Sequence, residues 1–193
     1  MDPAPSKIYL SMKSLINTLI AICLTLVPGR SQGLDPLELG QLLEEMRAEI
    51  MAPLDGDYRR LQIRKNRVQN YQWALGSARE DLEIRYLAIP DDGSELLDYP
   101  HIEASRLAMQ ICSNAQEAAI TARDLTEEER IDLFNADWGR MYMFPPKEEF
   151  GLYLHCKMVA LFREGSGMMV IFHLFDEPSP EIDNRLYTFR FMD

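Results

Sequence analysis

The chain has 193 residues, 47% apolar and 26% charged, a composition that excludes a disordered or low-complexity polymer. Its formal charge is −11, and residues 32–193 alone carry 17 basic against 30 acidic side chains. Such a surplus repels polyanions over a Debye length and excludes a nucleic-acid-binding protein of the usual basic kind.

Residues 15–27 read LINTLIAICLTLV, thirteen residues without a charge. That is short of the roughly 20 needed to cross a bilayer. Lys13 precedes the run, Pro28 and Gly29 follow it, and Gly29 and Ser31 place small residues at −3 and −1 of a cleavage site. This order is that of a signal peptide over residues 1–31, with Met12 as an alternative start. The expectation is one mature domain over 32–193, periplasmic or extracellular, with no stable membrane anchor after cleavage. Cys23 lies inside the apolar run behind Ile22, a poor place for a lipidated cysteine.

Asp35-Pro36 opens a helix, with Asp as cap and Pro in the first turn. Leu39, Leu42, Leu43, Met46 and Ile50 extend it toward Pro53. Tyr58, Leu61, Val68, Tyr71 and Leu75 predict a second helix, with a basic face of Arg59, Arg60, Arg64, Lys65 and Arg67. Residues 82–89 alternate as a strand, and Pro90 to Gly93 form a turn. A helix over 101–122 would bury Ile102, Leu107, Ile111, Ala115, Ala118 and Ala119. Thr126 and Glu129 form a capping box for a helix over 127–138.

The C-terminal third reads as strands over 152–163, 168–175 and 186–192. A four-residue loop over 164–167 sets His155 opposite Asp176 and His173 opposite Met158. Val159, Leu161, Val170, Phe172 and Leu174 would then share one face. Cys156, Met158, Ile171 and Phe175 would share the other. Two apolar faces each need a cover, from helices or from a partner. The predicted fold is α+β, with N-terminal helices plus an antiparallel sheet of about four strands, including a C-terminal three-stranded meander.

Several residue sets are candidates for function. The basic run offers Arg60 and Arg64 to an anionic partner. The segment Trp138 to Phe150 offers Trp138, Tyr142 and Phe144 as an aromatic contact surface. Cys112 and Cys156 are a candidate disulfide, worth about 3–4 kcal/mol in the chain-entropy view. A His155–Asp176 pair would suit acid–base work, but no nucleophile is tied to it. The sequence has no zinc-binding, phosphate-loop or dinucleotide motif, so no metal or cofactor is expected. The reading is an exported, non-enzymatic interaction or accessory protein, meeting a protein partner or another copy through an apolar sheet face. The alternatives are a small-ligand cavity between helices and sheet, and a hydrolase built on His155 and Asp176.

Overall fold

The structure, a computed structural model, describes residues 33–193; the expected leader, the Met12 start and Cys23 lie outside them. Asp35 caps the first helix, α1 (Pro36–Glu45), as its sequence predicts. Its carboxylate accepts from the Leu37 and Glu38 amides while Glu38 reaches back to the Asp35 amide, a complete capping box. The helix stops earlier than its apolar spacing suggests. Arg47 takes a left-handed φ of 47°, and the chain leaves extended as β1 (Ala48–Ile50).

The helix expected over 58–75 does not form. Instead β2 (Arg59–Arg60) and β3 (Trp73–Ser77) pair antiparallel, and residues between them make a turn. The physical reason is Asn66, whose side-chain oxygen accepts from the Val68 and Gln69 amides that a helix running through 58–75 would give to the Arg64 and Lys65 carbonyls. Strand β4 (Leu82–Pro90) follows, then a short 3-10 turn (Glu95–Leu97) and α2 (Pro100–Ile111). α2 ends eleven residues before the predicted point. Ser113 donates to the Pro145 carbonyl and Lys147 to the Ile111 carbonyl, so tertiary pairing captures the chain before Ala115–Ala119 can extend the helix.

β5 (Thr121–Asp124) leads to the Thr126–Glu129 capping box, present as read. That box opens only one wide π-helical turn (Glu129–Leu133), in which the Phe134 amide reaches back five residues to Glu129. β6 (Trp138–Phe144), β7 (His155–Arg163) and β8 (Gly167–Phe175) follow, then α3 (Pro180–Asn184) and β9 (Phe189–Phe191).

Among the described residues, β2-β3-β4-β8-β7-β6-β5 form one seven-stranded antiparallel sheet, and β1 pairs β9 in a second, two-stranded one. The α+β expectation of N-terminal helices with about four strands is therefore corrected: the molecule is mostly sheet with a few short helices. The last predicted strand is not the third member of a meander. β8 sits between β4 and β7, and the segment read as an aromatic contact surface is the interior strand β6.

The β7–β8 register also differs by one residue. Arg163 pairs Gly167 across a three-residue loop, with Gly165 and Gly167 at φ 71° and 117°. A one-residue slip reverses which side chains share a face. Val159 and Leu161 therefore join Met169, Ile171 and Phe175 on one side, while Cys156, Met158 and Ala160 join Val170, Phe172 and Leu174 on the other.

Both faces are apolar, as expected, and this chain covers most of each. On the first side α1, the pair of β1 with β9, α3 and Phe134 close over the sheet; Met46, Phe189 and Phe191 belong to this cluster, fully buried. On the second side lie Ala104, Leu107, Ala108 and Ile111 of α2 with Phe144 and Phe150. All nine residues of β8 are buried. Each such aliphatic or aromatic side chain taken from water contributes about 1.5–3 kcal/mol. Ile102, predicted inside, is 59% exposed on the outer ridge of α2.

Candidate functional site

The large sheet ends in β2 and β5; Gly33 and Leu34 lie against Ile63 and Arg60 beside β2. At β5, Leu125 donates to the Gly139 carbonyl, so odd-numbered residues of this strand bond inward to β6. Alternation then turns the backbone groups of Ala122 and Asp124 outward. All four β5 residues are exposed. Beside them a groove of about 250 Å³ is lined by Thr121, Ala122, Arg123, Met141, Tyr142 and Met143. Met141 and Met143 are half-buried on the first face, at a corner that its cover does not fully close. Arg123 is held by both oxygens of Glu129, which keeps that carboxyl down at about 2. Asp124 pairs Arg140 at 2.7 Å.

At the opposite edge, Leu61 donates to Ala74, so the backbone of Arg60 and Gln62 faces away from β3. Arg60 stacks at 4.3 Å over Trp73, and its guanidinium donates to the Leu34 carbonyl. Arg60 thus ties the start of α1 to the sheet. Arg64 is exposed, and its amide lies 3.4 Å from the Tyr71 hydroxyl.

A third feature is a polar cleft of about 830 Å³ between residues 55–81 and 177–185. Arg185 fills one wall. Its guanidinium is bidentate to Asp55, at 2.9 and 3.1 Å, and donates to both oxygens of Glu80, at 2.9 and 2.8 Å. Those bonds, joined by one from Tyr58, hold the Glu80 carboxyl at about 2, well below its usual range. Burial and the Glu80 contact push the Tyr58 phenol up. The cation is therefore neutralised internally. The cleft is lined by the β3–β4 turn, Asp55, the chain before α3 and α3 itself.

Tyr142 and Phe144 are buried to 3% and 1% exposure, so neither offers a side-chain surface to a partner. Trp138 is half-buried with Arg140 5.9 Å from its ring. The aromatic spacing here reflects strand packing. His155 pairs Phe175, and its ring lies 5.5 Å from that phenyl group. Asp176 instead accepts from the Leu154 amide. Adjacent register positions point to opposite faces, so the observed register separates the His155 and Asp176 side chains.

Cys112 and Cys156 are both buried free thiols, and burial pushes both up. Cys156 pairs Phe144 on the β7 side of β6. Cys112 pairs Pro146 on the other side, since Pro145, like Gly139, bonds away from β7.

The sequence placed His173 in the hairpin but gave it no role, and it did not single out Arg85. His173 is fully buried, with Nδ1 3.2 Å from the Lys157 carbonyl and Nε2 3.0 Å from the Arg185 carbonyl. Burial lowers it to about 4, although both carbonyls favour the protonated ring. Arg85 is 4% exposed between the Tyr71 and Phe150 rings, at 4.6 and 4.8 Å. It pairs Glu83 at 2.6 Å and donates to the Phe150 carbonyl.

Comparisons with protein-family models, curated proteins and solved structures gave no match. Among the described residues no group of three or more His, Cys, Asp or Glu side chains could hold a metal ion. No helix among them is long and apolar enough to cross a membrane.

Proposed function

We propose that the chain is an exported, non-enzymatic interaction protein that takes an extended segment of a protein partner onto the open edge of β5. The observation that carries this reading is the outward backbone of Ala122 and Asp124 beside the groove floored by Met141 and Met143. Strand addition draws affinity from main-chain hydrogen bonds and selectivity from pockets for alternate side chains. Methionine suits such a pocket because its unbranched thioether adapts to different shapes. The partner therefore meets an edge and an adjoining corner of the sheet. The apolar faces of β7 and β8 lie under this chain's own cover. Export is supported by the apolar run behind Lys13, outside the described residues.

The test is selection of binders from a library of ten-residue peptides, followed by Ala122→Pro. Proline removes an amide that points away from β6, so the internal pairing of the sheet is retained. Selected peptides should alternate apolar residues and lose about tenfold or more in affinity for the variant. Equal binding to A122P, or a library that yields no binder, refutes the reading. A second copy offering its own β5 is one such extended segment. It would appear in sedimentation as a dimer that A122P dissociates.

A further inference from the structure

We propose that the other edge of the sheet, the run Arg59 to Arg67, is a second docking site, for an extended acidic peptide segment. The run holds Arg59, Arg60, Arg64, Lys65 and Arg67 and no acidic residue. Residues 32–193 have an acidic excess of thirteen, so this is a local reversal of sign. None of the five cations forms an ion pair among the described residues; Arg47, Arg130, Lys147 and Arg190 form none either, but they are scattered, whereas these five fall within nine residues. Positive charge left unpaired in an acidic molecule is available for a partner.

The geometry selects an extended chain as that partner. Leu61 and Ile63 are half-buried against the second face, and Arg60, Gln62 and Arg64 are exposed between and beyond them. This alternation fixes the segment as an anchored, strand-like ledge. Successive side chains project to opposite sides, so Arg60 and Arg64 flank the edge on one side and Arg59 on the other. A peptide lying along the edge meets cations on both sides, and the outward backbone of Arg60 and Gln62 can pair with it. A flat lipid surface would engage cations of one side only. Asp55, Asp57 and Glu80 are occupied elsewhere: Asp55 and Glu80 hold Arg185, and Asp57 accepts from Ser77 and the Arg79 amide.

The experiment is fluorescence anisotropy of labelled deca-glutamate with the full chain. Controls are the same peptide N-methylated along its backbone, and phosphatidylglycerol vesicles. Binding should weaken about tenfold or more on moving from roughly 0.02 to 0.2 M salt. The triple variant Arg59→Glu, Arg64→Glu, Lys65→Glu should weaken it at least as much, with an unchanged circular dichroism spectrum. Arg60 is spared because it holds Leu34. Should the triple variant misfold, Arg64→Gln with Lys65→Gln should still weaken binding severalfold. The N-methylated peptide should fail to bind, since it cannot pair with the edge. Undiminished binding by either set of variants or by the N-methylated peptide overturns the proposal. So does binding to the vesicles without binding to deca-glutamate, or binding to neither. A122P should leave deca-glutamate binding unchanged, which separates this proposal from the one at β5.

Discussion

His173 sits at the centre of the sheet where no water reaches it, and its environment gives a pH dependence with a defined sign. Its folded pKa is depressed to about 4 from 6.5, first by burial. Above pH 6.5 the ring is neutral in both states and the full stability is present. As pH falls below 6.5 the unfolded chain takes a proton that the folded chain refuses until about pH 4. Folding should lose about 3 kcal/mol across that window, read as a falling urea midpoint, and His173→Gln should flatten that part of the profile. A profile unchanged by the substitution would refute the assignment. Arg85 was equally hidden in the sequence. A charged residue in an alternating strand reads as solvent-facing, whereas here two rings and Glu83 accompany it inside. Such sites depend on residues up to 65 positions away, as the Arg85 bond to Phe150 illustrates, and no local pattern encodes them.

At the scale of elements, the hairpin between β7 and β8 decides which side chains become core. Gly167 takes φ 117°, and a Cβ there would collide with the backbone at Ile89 and Pro90. Gly167→Ala should therefore cost about 1–3 kcal/mol and lower Tm by several degrees, measured by thermal unfolding. An unchanged Tm would mean that the turn tolerates a side chain. The sequence announced the hairpin through its Glu-Gly-Ser-Gly loop, and the strands on either side were legible. The loop length was not, because Gly165 and Gly167 admit both three- and four-residue closures. That ambiguity moved the register by one residue and produced the spurious His155–Asp176 pairing. The helix predicted over 58–75 failed for a comparable reason: apolar residues at helical spacing also fit an extended stretch followed by an Asn66 turn. The basic character of that stretch was legible, and its extended shape was not.

At the scale of the molecule, two layers cover the sheet, and one of them relies on the last residues of the chain. Phe189 and Phe191 are fully buried, and the Phe191 amide bonds to Phe134. Phe191→Ala should cost about 3–5 kcal/mol and increase binding of a hydrophobic dye, as the first face loosens. A loss below 1 kcal/mol would show that α1 and α3 cover that face without β9. The need for a cover was legible in the sequence, since two apolar faces per strand cannot meet water. Which segments would supply it was not, because β1 and β9 pair across more than a hundred residues.

The strand order has a consequence for how the chain is made. The middle of the sheet is β8, wedged between β4 and β7 and encoded after every other strand of that sheet. Until residues 167–175 emerge from the ribosome, β2–β4 and β5–β7 have nothing to join them. The large sheet therefore closes only after both of its halves have been made.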